Sequence, residues 1–243
     1  MNEFTRRLAE QAAEPYRKAG RFAWHFARGK LMGDPLFAGV LEHGLIRDHA
    51  RILDVGCGQG LMASWLLSAG AMQRGGAWHV GWPDAPHPAS IHGIDLNERD
   101  VRRAQTALSG RAEFTVGDMR TAEFRQADVV LALDVLHYVD EDAQDMVLWK
   151  IRDALAPDGV LLLRVGDADG GLPFKLGMSV DRVVNFLRTG DAGRLHCRSL
   201  AAWKSVFGKL GFAVRSFPMS QGTPFANILL AATREASSLA SIC

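Results

Sequence analysis

The chain has few cysteines, no basic excess and no long apolar run, and each absence argues against a class of protein. Its three cysteines, Cys57, Cys197 and Cys243, are far apart and form no CxxC pair, which argues against a disulfide scaffold or a zinc site and predicts no bound metal. Lys and Arg number 28 against 27 Asp and Glu, so the basic excess of a typical nucleic-acid binder is missing. No apolar run approaches membrane-spanning length, and the N-terminus lacks an apolar signal core. We therefore expect a cytoplasmic protein with no membrane insertion and no nucleic-acid partner.

The length and the order of patterns predict one α/β domain with an N-terminal extension. The chain has 243 residues, of which 48% are hydrophobic and 23% charged, the balance of a soluble globular protein. From Arg51 onward, short apolar runs alternate with helical patterns, which favours a doubly wound, mostly parallel sheet with helices on both faces. We predict a helical cap over residues 1–45, a Rossmann-like domain over 46–243 and an irregular Gly/Pro-rich insertion at 71–90. The expected state is a monomer or homodimer. The predicted strands are Arg51–Val55, Ile91–Asp95, Ala112–Val116, Ala127–Leu133, Val160–Val165, Ala213–Phe217 and Asn227–Ala232.

The helix after Asp140 is the clearest single element. Asp140 can cap its first turn, and apolar residues recur at three- and four-residue spacing to form one buried stripe. The stripe consists of Val147, Leu148, Ile151 and Leu155. A turn at Pro157-Asp158-Gly159 is then expected to lead into the next strand.

A glycine-rich turn follows the first predicted strand. Asp54 ends the apolar run, and glycines follow at 56, 58 and 60 before a helix from Leu61 to Ala69. Glycines let the backbone turn sharply and let a ligand approach without meeting a Cβ. A dinucleotide fingerprint places its third glycine one residue later than this chain does. A tight strand–helix turn without a ligand is the alternative interpretation.

This string resembles motif I of class I S-adenosylmethionine-dependent methyltransferases of the small-molecule type. In that family the loop packs against the methionine part of the cofactor, whose demethylated product is S-adenosylhomocysteine. The resemblance therefore implies that Asp54, Gly56, Cys57, Gly58 and Gly60 bind the cofactor.

Two further segments follow in the order of that family. Ile91–Asp95 ends an apolar strand with an acid, and a carboxylate there can accept hydrogen bonds from both ribose hydroxyls. Asp95 lies 35 positions after Gly60, against about 20 in dinucleotide folds, and the insertion at 71–90 accounts for the excess. The resemblance further places Asp118 near the adenine amino group, with Met119 on one adenine face and Leu96 on the other.

The fourth segment runs from Leu131 to Asp140 and resembles the family's motif IV strand end with an apolar–His sequence. The turn before the fifth strand and the Leu210-Gly211-Phe212 turn also match the family. The resemblance implies a seven-stranded sheet whose last strand is antiparallel.

Methyl acceptors are expected beyond the carboxyl ends of strands four and five, because ligands of open α/β sheets bind there. This places Asp134, His137, Tyr138 and the loop at 166–176 near the acceptor. His137 is the best candidate general base, since imidazole titrates near neutral pH. It could equally be a structural histidine beneath the loop. Asp134 could contact the cofactor's ammonium group or shape the acceptor pocket instead of acting in catalysis.

Residues 15–30 are dense in aromatic and basic side chains. One interpretation is an amphipathic helix with Phe22 and Phe26 in the core and the arginines in water. The other is a lid over an aromatic or anionic acceptor. Its candidate residues are Tyr16, Phe22, His25, Arg28 and Lys30.

The segments around 15–30, 164–171 and 222–227 also resemble methyltransferases of bacterial aryl-polyene-type lipid pathways. Such enzymes imply a phenolic, acyl-linked acceptor. Three alternatives stay open: a non-catalytic cofactor-binding partner subunit, an NAD-dependent oxidoreductase and a nucleic-acid methyltransferase. The last lacks support, because Asp134-Val135-Leu136-His137 is not the Asp/Asn-Pro-Pro-Tyr/Phe tetrad of amino-methylating DNA enzymes.

Overall fold

A computed structural model describes residues 2–166, 195–220 and 227–234. The helices are α1 (Glu3–Ala13), a 3-10 helix (Glu14–Ala19), α2 (Arg21–Gly33), α3 (Pro35–Glu42), α4 (Leu61–Arg74), α5 (Glu98–Ala107), a second 3-10 helix (Leu136–Tyr138), α6 (Glu141–Ala154) and α7 (Leu200–Lys209). The strands are β1 (Arg51–Val55), β2 (Ser90–Asp95), β3 (Glu113–Val116), β4 (Ala127–Leu133), β5 (Leu155–Gly166), β6 (Phe212–Pro218) and β7 (Asn227–Arg234). Most of the expected loop at 166–176 and the segment 221–226 lie outside the described residues.

The seven strands form one sheet in the order β3-β2-β1-β4-β5-β7-β6. All pairs from β3 to β5 are parallel, whereas β7 is antiparallel to both of its neighbours, β5 and β6. The predicted α/β fold with an antiparallel last strand is confirmed. The chain order reverses between β1 and β4, which is the place where open sheets of this kind bind ligands.

Alternating residues of the buried strands feed two hydrophobic cores on opposite faces of the sheet. Ile52 packs on the face covered by α1 to α5, while its neighbour Leu53 packs on the face covered by α6 and α7. Strands that are buried on both faces read as continuous apolar runs, as β4 does. The predicted stripe of α6 is buried and Asp140 caps the helix, with its Oδ1 accepting from the Ala143 N–H at 2.9 Å.

Helices α1 to α3 share the core of the first face. Leu8, Tyr16 and Leu31 belong to the same cluster as Trp65 of α4. The cap predicted over residues 1–45 is therefore packed onto the sheet's helical layer through its own apolar face.

The irregular segment is shorter than the sequence suggested. Helix α4 continues past Ala69 to Arg74, because buried Met72 extends its apolar face. Gly75 is its C-cap residue. The following segment packs Trp78 and Trp82 edge-on against Phe4 of α1, with ring centroids 5.4 and 5.3 Å apart. Strand β5 begins at Leu155, so the predicted Pro157-Asp158-Gly159 turn lies inside it, beside a register shift between Ala127 and Val129 of β4.

Candidate active site

The loop between β1 and α4 has three glycines with positive φ angles: 75° at Gly56, 53° at Gly58 and 72° at Gly60. A Cβ at Gly56 would lie 2.3 Å from Cγ2 of Val135, and one at Gly60 would lie 2.7 Å from Cζ of Phe114. At these two positions the chain's own packing requires glycine, in addition to the left-handed backbone. The sequence argument, which assigned the glycines to ligand approach, did not include this packing.

Asp95 connects three turns at the carboxyl end of β2. Its Oδ2 accepts from the Gly58 N–H and its Oδ1 from the Asn97 N–H, both at 2.8 Å. Its backbone carbonyl accepts from the Gly117 N–H at 3.0 Å. The carboxylate is thus held in one orientation, and each of its oxygens can accept more than one hydrogen bond. A rigid, bidentate acceptor of this kind suits a pair of ribose hydroxyls.

Asp54 and Cys57 lie beneath the glycine loop, with 3% and 8% of their surfaces exposed. Burial, together with the neighbouring Asp95 carboxylate, raises the pKa of Asp54 to about 7. Burial likewise raises the pKa of the Cys57 thiol, with Asp54 adding to the effect. Their side chains support the loop from below, so that a ligand above it would meet chiefly backbone groups.

The predicted adenine residues follow β2 and β3. Leu96 is 67% exposed, an unusual position for a large apolar side chain, and Met119 is half-buried. The Asp118 carboxylate receives a hydrogen bond from Arg120 Nε at 3.0 Å, and this guanidinium holds the pKa of Asp118 below its usual range against the opposing effect of burial. We call the glycine loop, Asp54, Asp95 and the turn at 117–122 the cofactor edge.

Tyr16, which the sequence placed in a lid, lies against the glycine loop. Its hydroxyl donates to the Gln59 carbonyl at 2.8 Å, and the side chain is fully buried. Burial raises the pKa of Tyr16 well above its ordinary value. Tyr16 therefore links the cap to the cofactor edge from beneath the loop and has no surface facing a ligand.

Helix α2 buries its small residues and exposes its aromatic ones. Ala23, Ala27 and Leu31 are buried, whereas Phe22 and Phe26 are 62% and 40% exposed. The two phenyl rings stack with centroids 6.1 Å apart. The interpretation that placed these rings in the core is wrong, because alanines permit the close approach of α2 to its neighbours that phenylalanines would block.

The exposed face of α2 spans the carboxyl edge of the sheet. At one end, the Arg103 guanidinium of α5 lies 4.6 Å from the centre of the Phe22 ring. At the other, Lys30 Nζ lies 2.8 Å from Asp34 Oδ2 and 3.8 Å from Asp134 Oδ2. Phe26 lies between these contacts.

Two other predicted lid residues lie on the surface of α2. His25 is exposed and packs on the Trp24 ring at 4.5 Å. Arg28 pairs with Glu10 of α1 at 3.7 Å, and both side chains are more than 40% exposed. These contacts are weak, so either side chain can be redirected at little cost.

An ion-pair network around the buried Arg164 side chain links the cap to the ends of β4 and β5; it consists of Lys30, Asp34, Asp134 and Arg164. The Arg164 side chain is 1% exposed. Its Nη1 and Nη2 donate to both Asp34 oxygens at 2.6 and 2.8 Å, and its Nε donates to Asp134 Oδ1 at 2.7 Å. Nη2 also contacts Asp134 Oδ2. Asp34 in addition caps α3 by accepting from the Leu36 N–H.

The charges of this network determine the protonation of its members. Burial by itself would raise the pKa values of Asp34 and Asp134, but Arg164 and Lys30 hold both below their usual range. Asp134 also has a positive φ of 57°, a strained conformation for a residue with a Cβ. A carboxylate paired on both oxygens is a poor proton acceptor, which favours a shaping role for Asp134 over a role as base.

His137 and Tyr138 form the short 3-10 helix that follows β4, and their rings pack at 4.3 Å. The His137 carbonyl accepts from the His196 N–H at 2.9 Å. The Gln144 side-chain amide donates to the carbonyls of Leu136, Val139 and His196 at 2.8–3.1 Å. The structure thus brings residue 196 beside His137, an association that nothing in the sequence indicated.

Sequence reasoning missed Arg164 and Asp34 as site residues. The signal for Arg164 is its position: an arginine that follows Leu161-Leu162-Leu163 in a buried strand must have charged partners. Asp34 directly precedes Pro35, which identifies it only as a helix cap. Its pairing spans 130 positions of sequence and follows from the fold alone.

The structure has no feature of a metal centre or a membrane span in the residues it describes. Within 2–166, 195–220 and 227–234, no three His, Cys, Asp or Glu side chains are grouped so as to hold a metal ion. None of the helices in these ranges is long and apolar enough to cross a bilayer.

Comparison with known proteins identifies the family of the chain. A family model described as a methyltransferase domain matches residues 23–216. Carboxy-S-adenosyl-L-methionine synthase of Chromohalobacter salexigens is 26% identical over 140 residues, which are 56% of this chain and 46% of that protein. The chain spans about half the length of the curated relatives that it matches.

Two solved structures show the same fold. One is magnesium protoporphyrin IX methyltransferase from Synechocystis PCC 6803 with bound S-adenosylhomocysteine: 19% identity, TM-score 0.57, covering 91% of this chain and 94% of that one. The other is an O-methyltransferase family protein from Burkholderia thailandensis: 20% identity, TM-score 0.60, covering 91% of this chain and 63% of that one.

Proposed function

The chain belongs to the methyltransferase-domain family, and we propose that it methylates a hydroxyl group on a small aromatic acceptor. Its activity as an S-adenosylmethionine-dependent methyltransferase follows from the family, whose model covers most of the chain. The acceptor, its reacting atom and the roles of individual residues form the proposal.

On the cofactor side, we assign Asp95 to the ribose, the loop at 56–60 to the methionine part, and Leu96, Asp118 and Met119 to adenine. The observation that carries this assignment is the position of Asp95, bonded at once to Gly58 of the glycine loop and to Gly117 of the next turn. A ligand held by Asp95 would therefore contact both turns. The exposed Leu96 offers an apolar surface for a purine ring.

Calorimetric titration tests the cofactor assignment. We expect micromolar binding of S-adenosylmethionine and S-adenosylhomocysteine and no binding of NADH. Asp95→Ala should weaken both by about 1–3 kcal/mol, the cost of losing a hydrogen-bonding group. Since Asp95 also holds the loops, Asp95→Asn, which retains one acceptor oxygen, should lose less. An unchanged affinity in Asp95→Ala would contradict the ribose assignment, and binding of NADH alone would contradict the cofactor.

On the acceptor side, the proposal is based on helix α2. Its exposed phenyl rings lie on the face that runs from Arg103 of α5 to Lys30, which pairs with Asp134 at the end of β4. Flat aromatic rings stack favourably on phenylalanine, and a related fold belongs to an O-methyltransferase family protein. The aryl-polyene resemblance, which implies a phenolic acyl group, points to the same acceptor class.

Methyl transfer to a hydroxyl is an in-line displacement that releases a proton. The acceptor oxygen forms a bond to the methyl carbon as the carbon–sulfur bond breaks, and positioning supplies most of the catalysis. We assign the proton to His137, because Asp134 is already paired with Arg164. His137→Gln should therefore lower kcat most for acceptors with weakly acidic hydroxyls.

A panel of catechol, 4-hydroxybenzoate and 4-coumarate tests the acceptor class, with S-adenosylhomocysteine formation as the readout. For an accepted phenol, Phe26→Ala should raise KM by about three- to tenfold, the loss of roughly one aromatic contact. Trp149→Ala, which removes an aromatic ring that is 50% exposed on α6, is the matched control and should leave KM unchanged. Cofactor affinity without methyl transfer to any phenol would instead support a non-catalytic partner subunit or another acceptor.

A further inference from the structure

The turn at 117–122 is closed by its own hydrogen bonds. The Asp118 carbonyl accepts from the N–H groups of Thr121 and Ala122 at 3.0 and 2.7 Å. The Asp118 carboxylate accepts from the Arg120 N–H at 2.9 Å. These bonds leave the remaining carbonyl groups of the turn to find other donors.

Lys150 supplies those donors from helix α6. Its Nζ donates to the carbonyls of Met119, Arg120 and Ala122 at 2.8, 3.1 and 2.7 Å. An ammonium group has three N–H donors, so three carbonyls of one turn engage its full capacity. Nζ also lies 4.4 Å from the centre of the Phe124 ring, a favourable cation–π distance.

The contacts of Lys150 with this turn are unusual for a lysine on a helix. A helical lysine ordinarily keeps its head group in water and its stem flexible. Lys150 is instead held in one geometry, partly withdrawn from water, by residues 28 to 31 positions earlier in the chain. Fixing so flexible a side chain is entropically unfavourable. The structural result of these bonds is that they hold the backbone of the turn in one conformation at Met119.

We propose that Lys150 is a positioning residue that presets Asp118 and Met119 for the adenine ring and so sets selectivity for a 6-aminopurine. The inference rests on the proposed adenine roles of Asp118 and Met119. Because Lys150 binds the carbonyls around Met119, loss of its ammonium lets the turn relax, and the Asp118 carboxylate no longer lies where an exocyclic amine can donate to it.

The test compares S-adenosylhomocysteine with S-inosylhomocysteine, in which a carbonyl oxygen replaces the adenine amine. In wild-type protein, calorimetry should show clear preference for the adenosyl ligand. Lys150→Met should weaken binding of that ligand about tenfold and of the inosyl ligand less than twofold, so that the preference nearly disappears. Lys150→Arg should restore part of the preference, and Lys209→Met, the same change at an exposed lysine of α7, should leave it intact.

Asp118→Ala separates failure of this inference from failure of the underlying assignment. If Asp118→Ala abolishes the preference and Lys150→Met does not, Lys150 has no positioning role. If Asp118→Ala leaves the preference intact, the adenine assignment is wrong and the inference fails with it. An equal loss of affinity for both ligands in Lys150→Met would indicate general destabilisation and overturn the proposal.

Amide hydrogen exchange of the ligand-free protein provides a readout independent of binding. Lys150→Arg retains the charge, so it serves if Lys150→Met does not fold. Weakened anchoring should speed exchange at the Thr121 and Ala122 amides and leave those of β1 unchanged. Unchanged exchange at both positions in both variants would contradict the proposal.

Discussion

Carboxylates at two places along the same sheet edge have pKa values shifted in opposite directions. At the cofactor edge, burial and Asp95 raise the pKa of Asp54 to about 7. In the ion-pair network, Arg164 and Lys30 outweigh burial and lower the pKa values of Asp34 and Asp134. The network is neutralised by the chain's own cations, whereas Asp54 and Asp95 place two carboxylates next to each other. S-adenosylmethionine carries a sulfonium and an ammonium, so its charge would complement the cofactor edge.

We expect the largest effect from removing Arg164, the buried cation of the ion-pair network. Arg164→Met leaves the buried Asp34 carboxylate and the partly exposed Asp134 carboxylate facing each other, and loss of one partner from a buried ion pair costs about 3–5 kcal/mol. Chemical denaturation at pH 7 should show this loss in the free energy of unfolding. Combining Arg164→Met with Asp34→Asn and Asp134→Asn should restore much of it, because no uncompensated buried charge remains and the Lys30 side chain is 41% exposed.

Arg125→Met is the matched control for Arg164→Met. Arg125 pairs with Glu113 on the surface, where both side chains are more than 60% exposed, and such pairs contribute little. We expect no measurable change in stability. If Arg164→Met were equally mild, the network would not be the element that fixes the cap to β4 and β5.

The pKa of Asp54 is raised, whereas those of Asp34 and Asp134 are lowered. The contribution of Asp54 to stability should therefore depend on pH in the opposite direction. Because the folded-state pKa of Asp54 is raised from 3.8 to about 7, its contribution to stability is fully present below the unfolded pKa and is lost as pH rises through 7. Asp54→Asn removes this titration. Between pH 5 and pH 8, wild-type protein should lose about 2–3 kcal/mol of unfolding free energy relative to Asp54→Asn. This magnitude follows because pH 5 lies about two pH units below the raised pKa. Parallel pH profiles for the two proteins would contradict the shift.

The strand, the glycine loop and the position of Asp95 could be predicted from sequence because these parts are local. Strand β1, the glycine loop and helix α4 follow one another directly, and Asp95 ends the neighbouring strand. Each of these features depends on backbone conformations that glycine and strand-forming residues impose within a few positions. The exact bounds of β1 and β4 were predicted for the same reason.

The ion-pair network and the orientation of α2 could not be read in this way. Arg164 meets Asp34 across 130 positions and Asp134 across 30, so their pairing depends on the completed sheet. In α2, the buried face was decided by size: Ala23 and Ala27 pack closely where Phe22 and Phe26 would not fit. A hydrophobicity pattern alone ranks phenylalanine above alanine and therefore selects the wrong face.

The smallest expected effect concerns the cap and tests whether it supports the cofactor edge as well as the ion-pair network. Tyr16→Phe removes the hydrogen bond to the Gln59 carbonyl and leaves that carbonyl buried without this donor, at a cost of about 1–3 kcal/mol in stability. Thr5→Val is the matched control, because it removes a hydrogen bond of the cap, from Thr5 Oγ1 to Asn2 Oδ1 at 2.8 Å, that lies away from the glycine loop. Both variants should unfold at slightly lower denaturant concentration.

Only Tyr16→Phe should also weaken S-adenosylhomocysteine binding, by about two- to threefold in calorimetry, because only Tyr16 holds the loop that we assign to the cofactor. Equal affinities in the two variants would mean that the cap stabilises the domain without supporting the cofactor edge.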